Sequence, residues 1–207
     1  MRILPGWLVS GGDRFRGGVA RPLARAGVDP NLLTAASFLS GVLSGAAFAF
    51  GRIFPAWILL VVSGVLDMID GRVAELSGRT SKFGAILDST LDRYAEFALF
   101  GGLIWYFRDG WIAGLAALAL AGSIMVSYTR ARAEGLGIEC RDGLAQRPER
   151  FAAIGTAAFF GFVFPVFDIA MALALGAIAL FANVTAVQRI LLVRRAERDH
   201  PIKGTTP

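Results

Sequence analysis

One cysteine and one histidine among 207 residues leave little for thiol or soft-metal chemistry to use. Cys140 alone excludes an internal disulfide, and with His200 in a polar tail no Cys/His cluster can hold zinc. Charge is scarce as well: Asp, Glu, Lys and Arg make up 18% of the chain, against 55% hydrophobic residues and a mean hydropathy of +0.58. That balance excludes an ordinary soluble domain and points to the bilayer. The first residues lack both the unbroken apolar core and the small-residue cleavage site of a signal peptide, so the N-terminus is expected to be retained. No internal repeat, linker or low-complexity segment is visible. At roughly 20 residues per crossing the chain has room for about six spans with short loops, and none for a second large domain.

The expected fold class is therefore an all-α integral membrane protein, with six transmembrane helices preceded by an amphipathic juxtamembrane helix, in one domain over 1–207. Residues 1–28 alternate apolar positions with Arg14, Arg16, Arg21 and Arg25, the pattern of a helix lying at the interface. Pro30 and Asn31 make a helix start. The membrane core is expected over 29–193, with spans at 32–50, 56–74, 81–107, 111–134, 149–164 and 167–193, and 194–207 form a polar tail. The turns fall at Gly51 to Pro55, around Gly78, at Arg108 to Gly110, over 135–148 and at Pro165. Of the 21 Lys and Arg, 19 fall on the side of the two termini, leaving Arg52 and Arg108 opposite. That bias places the termini and the charged machinery at the cytoplasmic face. The net charge of +5 is then read as arginines at an anionic membrane face and around an anionic substrate, not as a nucleic-acid surface.

Four acids stand out against this background: Asp67, Asp70, Asp88 and Asp92. A carboxylate at bilayer depth costs roughly 2.5 kcal/mol or more, so four together call for something cationic between them. Asp67 and Asp70 are three apart on the second span, and Asp88 and Asp92 four apart on the third, so each pair leaves one helical face. A short turn joins the two spans, which are expected to be adjacent antiparallel neighbours. Gly71 and Gly84 beside the pairs would let the helices close up, or let a phosphate-bearing ligand reach the backbone. Hard divalent cations such as magnesium take oxygen ligands and keep positions for phosphate oxygens, and two of them can polarise a phosphoryl group and stabilise its leaving oxygen. The competing readings are salt bridges to Arg72, Arg79 and Arg93, and an ion or proton pathway. Such a pathway meets almost no acids on spans one, five and six.

The stretch Asp67-x-x-Asp70-Gly71-x-x-Ala74, followed by Gly84-x-x-x-Asp88-x-x-x-Asp92, resembles the signature of the CDP-alcohol phosphotransferases, integral membrane enzymes of phospholipid synthesis. The resemblance covers nearly the whole chain and implies six transmembrane helices, a juxtamembrane helix and a homodimer in a prokaryotic cell membrane. It also implies a CDP-lipid donor, two divalent ions (Mg2+ or Mn2+) on Asp67, Asp70, Asp88 and Asp92, and Asp92 as the base that takes the acceptor proton. Gly71, Ala74 and Gly84 of the signature, with Asn31, Thr34 and Ser81, correspond to positions at the donor. One position departs from the pattern: Glu75 stands where the family has an arginine directed at the donor diphosphate. Arg72 or Arg79 would have to supply that charge.

The arginines address the acceptor. Arg130, Arg150 and Arg189 come from three spans, and converging guanidiniums make a phosphate site, whereas single ones also serve as positive-inside anchors. The sequences around them, Ser127-Tyr128-x-Arg130-Ala131-Arg132, Arg147-Pro148-Glu149-Arg150 and Val187-Gln188-Arg189, resemble the phosphatidylinositol-phosphate synthase branch. In that branch the acceptor is inositol 1-phosphate and these three arginines hold its phosphate, with lysine usual at position 130. The nearest alternative is the same chemistry with glycerol 3-phosphate.

Overall fold

The structure is a computed structural model, and it describes residues 18–140, 143 and 146–199. The expected helix over 1–28 is described only for α1 (18–25), and the tail beyond 199, with His200, lies outside the described residues. Six longer helices follow: α2 (Pro30–Ala49), α3 (Ile53–Leu76), α4 (Lys82–Tyr106), α5 (Ile112–Gly135), α6 (Arg147–Val163) and α7 (Phe167–Asp199).

Their boundaries follow from capping chemistry. Asp29, one residue ahead of the expected start, caps α2 by accepting from the Asn31 N–H at 2.9 Å, and Pro30 occupies a first-turn position that needs no donor. The expected turn over Gly51 to Pro55 is shorter, because α3 begins at Ile53 and Pro55 is tolerated in its first turn. Ser81 caps α4 through the Gly84 N–H at 2.9 Å. α6 starts two residues earlier than expected, since the Glu149 carboxylate reaches back to the Gln146 N–H at 2.9 Å. α7 runs past the expected end at 193, because nothing from Arg194 to Asp199 breaks a helix.

The chain divides into two compact units, Met1–Arg108 and Asp109–Pro207. In the first unit α2 is the shared neighbour, packing against both α3 and α4. Its contacts with α3 run antiparallel, from Ser37 to the Ser63 carbonyl at 2.9 Å and from Ser44 to the Ala56 carbonyl at 2.8 Å. Its contacts with α4 run parallel and are closer still. A Cβ on Gly102 would stand 1.9 Å from the Gly45 carbonyl oxygen, and one on Gly45 would stand 2.2 Å from that of Ala98. α3 and α4 are antiparallel, as expected, and their acids meet, but among the described residues their backbones make no extensive contact. Chain adjacency bounds only the turn; the small residues of α2 draw both partners onto itself. α1 lies on α3, with Ala20, Leu23 and Ala24 against Ile69 and Val73. In the second unit α7 is the shared neighbour, packing on α5 and α6.

Among the described residues, four helices are long and apolar enough to cross a membrane: α2, α3, α5 and α7. α4 falls outside that set because Asp88, Asp92, Arg93 and Glu96 crowd its first half, and α6 because it has only 17 residues. Its described residues are all-helical, and the protein is an integral membrane protein.

Candidate active site

α3 and α4 supply the acids. Carboxylate oxygens of Asp67, Asp88 and Asp92 lie within 4.8 Å of one another, and all three side chains are partly buried. At that separation each pair of anions repels by on the order of 3 kcal/mol at an effective dielectric of about 20. An all-oxygen donor set of this charge matches a hard divalent cation.

Asp70 is placed differently. It is buried, its Oδ2 accepts from the Thr34 hydroxyl at 2.7 Å, and its Oδ1 accepts from the Gly71 N–H at 2.5 Å. The structure thus brings three of the four expected acids together and ties the fourth to α2. Thr34 also donates to the Pro30 carbonyl at 3.2 Å, so its hydroxyl is shared between its own helix and Asp70.

Two of the arginines that could have neutralised these acids, Arg72 and Arg79, engage other groups. Arg72 Nη1 lies 2.6 Å from a Glu75 oxygen, and Arg79 Nη1 donates to the Gly27 carbonyl at 3.3 Å. Arg93 pairs with Glu96 at 3.0 Å and with Asp92 at 4.0 Å. The Glu75 that replaces the family arginine is therefore the direct partner of Arg72.

Of the expected donor residues, Asn31, Ser81 and Gly84 meet. A Cβ on Gly84 would stand 3.1 Å from Ser81 Oγ and 3.4 Å from Asn31 Oδ1, which keeps that corner narrow. Gly71 does not serve helix packing, because a Cβ there meets nothing within 4 Å. Its small size leaves open space beside Asp70. Ala74, one turn on, is partly buried.

The second unit holds the basic residues. Arg150 and Arg189 are 2% and 3% exposed, whereas Arg130 is exposed and its Nε donates to Glu134 at 2.9 Å. Arg189 Nη1 donates to the Val126 carbonyl, which fixes α7 to α5. Its guanidinium lies within electrostatic range of Arg130 and Arg150, and of Glu134 and Cys140. Three like charges gathered in this way suit an anion. Gly143 lies against Arg189: a Cβ there would stand 2.6 Å from Thr185 Cγ2 and 3.2 Å from Arg189 Nη2. Sequence reasoning overlooked Gly143, the buried Thr185 and the buried Glu96. Only Glu96 carried a signal, since it follows Asp92 by four and Arg93 by three, the spacing at which helical side chains meet.

An apolar, all-helical chain that gathers carboxylates fit for a divalent cation and buries arginines fit for an anion has the makings of a membrane enzyme acting on phosphates. The chain belongs to the CDP-alcohol phosphatidyltransferase family, whose sequence model matches residues 28–187. It is 37% identical over 190 residues to the phosphatidylinositol phosphate synthase of Streptomyces avermitilis, covering 86% of this chain and 78% of that one. It is 37% identical over 183 residues to the archaetidylinositol phosphate synthase of Methanothermobacter thermautotrophicus, covering 84% and 91%. The crystal structure of Mycobacterium tuberculosis phosphatidylinositol phosphate synthase with CDP-DAG bound is similar at a TM-score of 0.77 and 31% identity, covering 87% of this chain and 94% of that one. A second structure of that enzyme, in complex with manganese and citrate, gives 0.76 at 30% identity, covering 86% and 88%.

Proposed function

We propose that this enzyme transfers the phosphatidyl group of CDP-diacylglycerol to a hydroxyl of inositol 1-phosphate, releasing CMP and forming phosphatidylinositol phosphate. The observation that carries the reading is the convergence of Asp67, Asp88 and Asp92 on the family signature. The acceptor reading is supported by the buried Arg150 and Arg189 and by relatives from bacteria and an archaeon whose names share inositol phosphate and differ in the lipid. Two divalent cations, Mg2+ or Mn2+, held by Asp67, Asp70, Asp88 and Asp92, would polarise the phosphoryl oxygens and stabilise the leaving one. Asp92 takes the proton from the acceptor hydroxyl as its oxygen bonds to the phosphorus next to the lipid, and the bond from that phosphorus to the oxygen of CMP breaks. Arg130, Arg150 and Arg189 hold the acceptor phosphate through forked, charge-assisted bonds. Asn31, Thr34, Gly71, Ala74, Ser81 and Gly84 border the donor.

In this reading 1–207 work as one domain with a six-helix membrane core over 29–193. α4 and α6 cross with the other four, and the active site faces the cytoplasm of a prokaryotic cell in a homodimer. The bias of 19 of 21 Lys and Arg to one side supports the orientation. Purified protein in detergent, given CDP-diacylglycerol, Mg2+ and each candidate alcohol in turn, is expected to release CMP with inositol 1-phosphate. Turnover with glycerol 3-phosphate alone would replace the acceptor, and silence with every alcohol would remove the activity.

A further inference from the structure

Asn183 follows an unbroken run of apolar residues and glycine on α7, from Ile169 to Ala182. A side-chain amide in such a span is costly unless its N–H groups find acceptors. Both do: Nδ2 donates to the Ala179 carbonyl of its own helix at 2.7 Å and to the Leu118 carbonyl of α5 at 3.3 Å. Carbonyl oxygens on both sides require the nitrogen of the amide to face them. The amide enters α5 at the buried Gly122, where a Cβ would stand 2.6 Å from Nδ2 and 3.0 Å from Cγ. The missing side chain of Gly122 is thus the notch that receives Asn183. Six residues further along α7, the buried Arg189 donates to the Val126 carbonyl of the same partner helix. At 1.5 Å per residue the two donors stand about 9 Å apart along α7 and their acceptors about 12 Å apart along α5. The long arginine side chain spans the difference, so the place of its guanidinium depends on where the notch holds α7.

We infer that Asn183 is a positioning residue for the acceptor: its amide, seated at Gly122, fixes the register of α7 along α5 and so sets where the Arg189 guanidinium stands. This rests on the reading of Arg189 as a ligand of the acceptor phosphate. Charge-assisted bonds to a phosphate form at about 2.7–2.9 Å, a window far narrower than the rise of one helical residue. A slip of α7 well short of one residue therefore misplaces the guanidinium. The effect has a ceiling, because Asn183 can hold Arg189 in place by no more than the clamp itself contributes. For hydrogen bonds between membrane helices that is equivalent to about threefold on average and below about twentyfold.

The test uses the full chain in detergent with CDP-diacylglycerol, Mg2+ and inositol 1-phosphate, and CMP release gives kcat and both KM values. Asn183→Ala is expected to raise the KM for inositol 1-phosphate about three- to tenfold and to leave that for CDP-diacylglycerol within about twofold of the parent. Gly122→Ala fills the notch from the other side and is expected to raise the same constant by a similar factor. Both changes break one contact, so the double variant is expected to stay near the larger single effect. An Asn183 that served the fold alone would lower the thermal midpoint and, through the active fraction, kcat, while both KM values held. That result overturns the inference, as do equal shifts in the two KM values or factors that multiply in the double variant. Should Asn183→Ala not be recovered folded, Gly122→Ala carries the same test through the same split between the two constants. Arg189→Gln separates the inference from the reading beneath it. An unchanged acceptor KM in that variant removes the acceptor reading and this inference with it, whereas a raised one beside a parental value in Asn183→Ala removes the inference alone.

Discussion

Gly102→Ala replaces one hydrogen with a methyl group at the closest approach of α2 and α4. The added carbon would stand 1.9 Å from the Gly45 carbonyl oxygen and 2.6 Å from its carbonyl carbon. Ordinary contact begins near 3.4 Å, so the two backbones must part by about 1.5 Å or the methyl group cannot be housed. Both obstacles are main chain, and no rotamer change relieves them. Overpacking of this kind costs typically 1–3 kcal/mol, and an unyielding backbone puts Gly102→Ala at about 3 kcal/mol. For a chain of this length each 1 kcal/mol moves the midpoint by roughly 2–4 °C, which gives a loss of roughly 6–12 °C. Gly101→Ala is the control. A Cβ at Gly101 meets nothing within 4 Å, and helix propensity favours alanine there by up to about 1 kcal/mol. Thermal unfolding followed by circular dichroism separates the two variants. The displacement also reaches the chemistry, because α2 carries Asn31 and Thr34 to Gly84 and Asp70, so CMP release should fall with the midpoint. A Gly102→Ala protein that melts with Gly101→Ala and turns over like the parent would refute the close packing and its role.

Asp88→Asn removes one charge from the cluster and is expected to abolish measurable Mn2+ binding and lower CMP release by about 100-fold or more, with little change in the thermal midpoint. Unaltered metal binding would show that the three acids do not act together. Arg189→Gln is expected to raise the KM for inositol 1-phosphate by about 10- to 100-fold while leaving that for CDP-diacylglycerol near the parental value, as loss of a charge-assisted bond predicts. Equal shifts in both constants would assign Arg189 to the fold and not to the acceptor.

Much of this arrangement is legible in the sequence because the signals are local. The pairs at 67 and 70 and at 88 and 92 announce their helical faces by spacing, and the helix limits follow from Pro30, Gly51, Gly78 and Pro165. What escaped is set by partners distant in the chain. Nothing local says that Asp70 accepts from Thr34 on α2, or that α2 is the shared neighbour of α3 and α4. The fate of Arg72 is an intermediate case. Its i, i+3 relation to Glu75 is visible in the sequence, yet spacing alone does not say whether Arg72 turns to Glu75 or to a bound anion.

α2 contains no charged residue, yet it touches both acid-bearing helices. It works as a gauge block whose thickness sets the gap between two jaws, and Ser37, Gly41, Ser44 and Gly45 are its working surfaces. A substitution that enlarges either surface alters the separation of carboxylates that the substituted residue never meets. Leu32, Leu39 and Leu43 lie on the exposed side of the same helix and are free of that duty. Saturation mutagenesis of this uncharged helix should therefore yield two intolerant strips and one tolerant one, a map of the gap between the acids drawn by residues that hold no metal.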